Sequence, residues 1–406
     1  MFRIEFRRPF WRPLTGRWVV FLAVLALVPL AAGCFGGGGG GPTGWAGPVV
    51  QGEQLYLGSV KGRVLAYDLE QRGERPAPGF PTPKEWIFPP KAEKPLEALY
   101  ATTTLDGKSL FVGTFGSTSG KTSNGRVLAL DVADGTMKWQ GHFQVQGSVL
   151  GSPVLADDTL LVPTSQGKLH FLDPERGIER RPSLDLKGAL WASPVVSGGV
   201  AYVASMDHKV YAVDIKQGSI LKDPLFEAKG ALASAPALAG DTLYFGSFDR
   251  NLYAVDASTG KLRWDRPFSA GGWFWSTPLV SGDTVYVGSL DHKVYALNAA
   301  TGKMKWSAPF VAGDQIRASP VLEDGVLVVV DISGKVYGVD PATGLSVWPQ
   351  WYDAREQVLA PLAAKDGVIY LVSRSGILRA LEAKRGLILW FVRTDRDGQQ
   401  AVEALP

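Results

Sequence analysis

The sequence predicts an all-β protein, an eight-bladed β-propeller of four-stranded antiparallel blades with about 42 residues to a blade. Three observations carry this. Segments 234–264 (SAPALAGDTLYFGSFDRNLYAVDASTGKLRW) and 276–306 (STPLVSGDTVYVGSLDHKVYALNAATGKMKW) align without a gap. The same offset of 42 carries Trp264 to Trp306, Trp348 and Trp390, and Gly260 to Gly302, Gly344 and Gly386. Each unit also holds four short apolar stretches bounded by Gly, Asp or Asn turns, the signature of strands joined as hairpins.

Within a unit the stretches are the pair after the opening proline, a VYVGS type, a VYALD type and a closing KxxW. The opening proline falls at Pro153, Pro194, Pro236, Pro278, Pro320 and Pro361, which marks six clear copies. Two degenerate copies precede them: GPVV, LYLGS and RVLAYD in unit 1, and LFVGT, RVLALD and DGTMKW in unit 2. Eight units fill residues 45–393. An open row of such sheets would leave two faces uncovered, so closure into a ring is expected.

The recurrent tyrosines (Tyr56, Tyr202, Tyr244, Tyr286 and Tyr370 in one stretch; Tyr211, Tyr253, Tyr295 and Tyr337 in another) read as packing between blades. Trp139, Trp264, Trp306, Trp348 and Trp390 are expected to dock against the neighbouring blade. Units 3 and 4 replace that tryptophan with Arg181 and the region of Lys222, so looser packing is expected there.

Ahead of the repeats, residues 1–33 read as an export signal: an Arg-rich start, the apolar run Trp18 to Leu30, then small residues. Thirteen apolar residues are short for a membrane span of about 20. The sole cysteine, Cys34, follows Ala31, Ala32 and Gly33 in the manner of a bacterial lipoprotein signal, although Ala31 stands where Leu is usual. Acylation of Cys34 competes with an uncleaved signal anchor and with an ordinary buried cysteine. Residues 34–44, with six consecutive glycines, form a tether, and 394–406 form a C-terminal tail. Arg3, Arg7, Arg8, Arg12 and Arg17 against Glu5 give the signal a net +4, so the rest of the chain carries 3 − 4 = −1. A near-neutral body lacks the footprint of a nucleic-acid binder.

The repeat SxPxxxxGxxYxGSxDxxxYAxDxxTGxxxW resembles that of the PQQ-like, or quinoprotein-type, propeller family over all of 45–393. That family includes quinone-dependent dehydrogenases, the lipoprotein subunit of the outer-membrane β-barrel assembly machine and many other exported proteins, so the fold alone does not choose a function. The dehydrogenase reading implies pyrroloquinoline quinone, calcium and a base. Family alcohol dehydrogenases carry adjacent cysteines beside the cofactor, and this chain has one cysteine. Metal chemistry finds little support elsewhere. His208 and His292 lie two blades apart, His170 replaces a core tyrosine, and His142 sits in a connection. Asp207, Asp249 and Asp291 read as turn-stabilising residues without the further oxygens a calcium loop needs.

The departures from the repeat gather on one face. Just before the opening prolines lie Trp191, Trp273, Phe274, Trp275 and Arg317, the residue types that dominate interface hot spots. They are candidates for a partner surface, or for a plug in the channel top. Unit 2 adds the polar insertion 115–124 on the same face, and unit 1 carries a Pro-rich connection, 71–91. The expected protein is a monomeric, non-catalytic scaffold without cofactor or metal, exported and lipid-anchored to the cell envelope, on the outer face of the cytoplasmic membrane or on an outer membrane. It binds a protein partner and no nucleic acid. The alternative is a quinone- and calcium-dependent sugar or alcohol dehydrogenase.

Overall fold

The computed structural model describes residues 44, 46–69, 83–116 and 124–394, which contain strands and turns and no helix. Cys34, the signal and the glycine tether up to 43 fall outside these residues, as do 70–82, 117–123 and the tail from 395. Eight four-stranded antiparallel sheets are each made of four consecutive strands. Blade 5 is typical, with strands Ala237–Ala239, Thr242–Gly246, Asn251–Asp256 and Phe268–Ser269. First strands of neighbouring blades approach one another, so they line the axis and the fourth strands form the rim. The eight-bladed propeller is therefore present as expected.

Sandwiching decides which residues a blade uses. The second and third strands are buried on both faces, because a neighbouring sheet lies on each side. Hydrophobic cores accordingly form between blades. One joins Tyr244, Leu252 and Trp264 of blade 5 to Val285, Val287 and Tyr295 of blade 6. The ring closes in the same way, with Leu55, Leu57 and Tyr67 of blade 1 packed on Tyr370, Leu378 and Val392 of blade 8. Lys365 adds a charged clasp, donating to Gly52 O and lying 3.3 Å from Glu53 Oε1. Blade 1 runs from Val49 to Phe88 and blade 8 from Ala363 to Arg393, so neither borrows a strand.

In most blades a single carbonyl receives the tryptophan of the blade before it. Trp139 Nε1 donates to Pro174 O at 2.8 Å, Trp264 to Ala299 O at 2.8 Å, Trp306 to Pro341 O at 3.0 Å and Trp348 to Ala383 O at 2.9 Å. The first tyrosine series shares the acceptor: Tyr244 Oη reaches Ala299 O and Tyr286 Oη reaches Pro341 O, both at 3.0 Å. Both lone pairs of one buried oxygen are thus used. The tryptophan lies against the next blade's TG turn, where a β-carbon on Gly344 would come 2.6 Å from Trp306 Cδ2. Gly344 also has φ of 78°, so glycine is required there twice over. Trp390 sits within the last strand opposite Ala380, with its ring 5.9 Å from Tyr370, at the seam with blade 1.

Three expectations need correction. The closing KxxW is not the fourth strand in blades 2, 5, 6 and 7. The outer strand begins four residues later, at Phe143, Phe268, Phe310 and Tyr352. In these four blades the chain leaves the ladder around the docking tryptophan, with isolated bridges such as Val255 to Leu262. Blades 3 and 4 keep the docking contact with other donors, so the looser packing expected there is not found. Arg181 donates to Ile215 O with its guanidinium 5.6 Å from the Phe171 ring, and Lys222 Nζ donates to Ser258 O at 2.6 Å. Finally, the end of the Pro-rich connection is itself a strand, Pro83–Phe88, whose Trp86 donates to Val132 O at 3.1 Å. Proline content hid blade 1's own docking tryptophan.

These contacts set a measurable expectation. Trp306→Ala should cost about 3–5 kcal/mol of unfolding free energy, and Trp306→Phe, which keeps most of the packing, should cost about 1 kcal/mol for the lost hydrogen bond. Urea titrations that give equal losses for the two variants would show that the hydrogen bond carries the contact.

Candidate functional site

The chain entering each blade and that blade's hairpin between second and third strands open on one face. Met206 N donates to Ala189 O, Phe248 N to Ala231 O, Leu290 N to Trp273 O and Ile332 N to Gln315 O, all at 2.9–3.0 Å. The hairpins are fixed by the aspartate series. Asp207, Asp249 and Asp291 each accept a 2.5 Å bond from a tyrosine of the second series, Tyr211, Tyr253 and Tyr295. Their other carboxylate oxygen accepts a backbone N–H two residues on, as an Asx turn does. Burial first, and then the adjacent carboxylate, push these tyrosine hydroxyls far above the usual range, so they remain protonated donors.

On this framework the entering segment presents two register positions with opposite fates. Leu190, Leu232, Phe274, Ile316 and Val358 stand 42 residues apart and are buried between blades. Phe274 is 0% exposed and packs against Gly246. It is core, and its inclusion among the partner-binding candidates is corrected. The signal was available in the repeat itself, because every equivalent residue is apolar. The next position turns the other way: Leu150, Trp191, Ala233, Trp275, Arg317 and Leu359 line an axial cavity of about 160 Å³. Alternation along an extended segment puts Trp273 and Trp275 on one side and Phe274 on the other.

The candidates that remain form one cluster. Trp275 lies 6.3 Å from Trp191, and Arg317 places its guanidinium 4.2 Å from the Trp275 ring. Phe248, in the hairpin of blade 5, bridges the tryptophans: its ring stacks on Trp273 at 4.9 Å and lies 5.1 Å from Trp275. Met206 joins them. Sequence reasoning missed Phe248 and Met206, which look like ordinary hairpin residues until the ring brings two loops together. Trp191, Trp273, Trp275 and Arg317 are each half-buried, so they line the mouth without vanishing into the core. The blade 2 insertion leaves from the same face, where Phe115 packs edge-on against Tyr100 at 5.1 Å.

A redox or hydrolytic centre would require converging ligands or bases. Among the described residues no three His, Cys, Asp or Glu side chains come together to hold a metal. His208 and His292 occupy equivalent left-handed turn positions with φ of 78° and 69°. His170 is buried with Nδ1 2.8 Å from Glu179 Oε1, and burial holds its pKa below the ordinary histidine value despite that carboxylate.

The fold and the mouth cluster define a class: a PQQ-like repeat propeller with an aromatic, loop-bearing face. Residues 93–221, 123–270, 222–349 and 308–405 match the family described as outer membrane protein assembly factor BamB, and the chain belongs to that family. It is 34% identical over 101 residues to outer membrane protein assembly factor BamB of Yersinia pestis, across 23% of this chain and 25% of that protein. A 99-residue stretch is 31% identical to beta-alanine-activating enzyme of Danio rerio, covering 23% of this chain and 8% of that protein. The chain thus spans a quarter or less of the curated relatives it matches. Among solved structures, BamB of Moraxella catarrhalis superposes with a TM-score of 0.64 at 18% identity, over 82% of this chain and 93% of that one. The computationally designed Ika8 protein superposes at 0.60 with 14% identity, over 72% and 86%.

The two register positions predict different costs. Phe274→Ala should lose about 3–5 kcal/mol by leaving a cavity between blades 5 and 6, whereas half-exposed Trp273→Ala should lose markedly less. Equal melting-point losses would place Trp273 in the core as well.

Proposed function

We propose that the chain is a non-catalytic scaffold of envelope protein assembly, held to the membrane through acylated Cys34, whose mouth face grips a protein or peptide partner. The observation that carries this is the cluster of Trp191, Trp273 and Trp275 with Arg317, half-exposed around the axial cavity on the face that bears the loops. Large aromatic and Arg side chains in a partly desolvated centre are what interface hot spots are made of. Membership of the BamB family supports the assembly role and the envelope location. The reading needs no cofactor.

A photo-crosslinking residue at position 273, in cells, should capture a component of the outer-membrane protein assembly apparatus, while one at exposed Leu345 on the opposite face should not. Trp275→Ala and Arg317→Ala should each weaken capture by about 2 kcal/mol with little change in melting temperature. Equal capture from both faces, or collapse of stability in either variant, would make the cluster a plug and sink the proposal.

The anchor has its own test. Cys34→Ser should move the protein from the membrane to the soluble fraction and abolish labelling by a palmitate analogue. Retention of Cys34→Ser in the membrane would point to an uncleaved signal anchor.

A further inference from the structure

We infer that the partner surface gripped by the mouth face is an acidic stretch of polypeptide carrying apolar side chains. This rests on the assignment of the mouth face as the partner site and adds the chemistry of what it takes.

The charges on the loops of this face are unbalanced. Lys187, Lys229 and Arg250 are exposed on the loops of blades 4 and 5, beside the tryptophan cluster, and Arg355 and Arg374 are exposed on those of blade 8. Lys94 continues the series at the entry to blade 2. Against these six exposed cations stand, among the described residues, four exposed acids, Glu93, Asp185, Glu227 and Asp353. Lys187, Lys229, Arg250 and Arg355 have no carboxylate within ion-pair reach among the described residues.

The repeat does place acids on this face, but it spends them internally. Asp207, Asp249 and Asp291 are held by their tyrosines and backbone N–H groups, and Asp331 is fully buried on Tyr337. The opposite face is arranged differently. Its hairpin acids Asp158, Asp241 and Asp283 are matched by Arg180, Arg263 and Lys305. Among the described residues these hairpin acids are therefore matched at one end of the ring while the other end carries outward-facing cations in excess, although the chain beyond the signal sums to −1, from 3 − 4.

The layout selects among anionic occupants. Trp191 and Trp275 line the axial cavity, while the cations sit on loops around them, giving an apolar centre inside a positive rim. A flat anionic bilayer would meet the rim and leave the tryptophans unfilled. A polypeptide that presents aromatic or aliphatic side chains flanked by Asp and Glu satisfies both.

All strands of the described residues lie between Val49 and Arg393 and the ring closes on itself, so the chain from Gly44 onward folds as a unit and can be tested in solution. The probes are a short Asp/Glu-rich peptide containing two Phe, the same peptide with Lys in place of each acid, and vesicles of phosphatidylglycerol in phosphatidylcholine. The acidic peptide should bind, quench tryptophan fluorescence and weaken as salt is raised. The triple change Lys187→Glu, Lys229→Glu and Arg250→Glu should weaken it by more than about tenfold with the melting temperature unchanged. Asp283→Lys on the opposite face should leave it alone.

Equal binding of the Lys peptide, salt-insensitive binding, or binding to vesicles in place of the peptide would overturn the inference. If crosslinking from position 273 persists undiminished in the triple variant, the acidic chemistry fails while the partner face stands. Absence of that crosslink in the unaltered chain would remove the face itself.

Discussion

The structure depends on a carbonyl at the seam between successive blades, observed after blades 1 to 7, and on what the preceding blade sends to it. An eight-fold ring has no central core: each sheet is stabilised by its two neighbours, and the chain must return to its start within a fraction of an ångström per seam. Packing alone is tolerant of sliding. A directional bond from an indole N–H to Ala299 O or Pro341 O is not, because the N–H must arrive near the acceptor's plane at about 3 Å. With a tyrosine hydroxyl on the same oxygen, the seams after blades 1, 5 and 6 are fixed by two donors from one blade.

That requirement explains why the exceptions are conservative in role. Arg181 and Lys222 are unlike tryptophan in size and charge, yet Arg181 reaches the equivalent carbonyl of the next blade, Ile215 O, and Lys222 reaches Ser258 O, one residue beyond it. The donor is kept and the ring is surrendered. A long flexible side chain also frees the outer strand to stay in the ladder, and blades 3 and 4 accordingly have rim strands of 7 and 9 residues where the tryptophan blades 2, 5, 6 and 7 have 2. Blade 1 combines both features, since Trp86 docks on Val132 O from within a rim strand of 6 residues.

The fold was legible in the sequence because every blade solves the same problem at the same register, and repetition amplifies weak strand signals. The site was legible only in part. Trp191, Trp275 and Arg317 stood out as departures from the repeat, and they meet around the axis. Phe274 stood out for the same reason and is core, because residue type was weighed before register: Leu190, Leu232, Ile316 and Val358 already showed that position to be apolar. Phe248 and Met206 could not be found from the sequence, since their contact with Trp273 and Trp275 joins a hairpin to an entering segment only after the ring forms.

Register also separates what the ring needs from what it can vary. The entering segment must plug the space between blades at one position, and its choices there stay within Val, Leu, Ile and Phe. One residue later the side chain faces the axial cavity, where no neighbour constrains it, and the choices run from Ala233 to Trp275 to Arg317. Freedom from packing does not by itself call for tryptophan; alanine would suffice and is used at 233. Placing two half-exposed indoles and a guanidinium where small residues would close the ring equally well costs solubility, and the proposed partner would offset that cost by covering them.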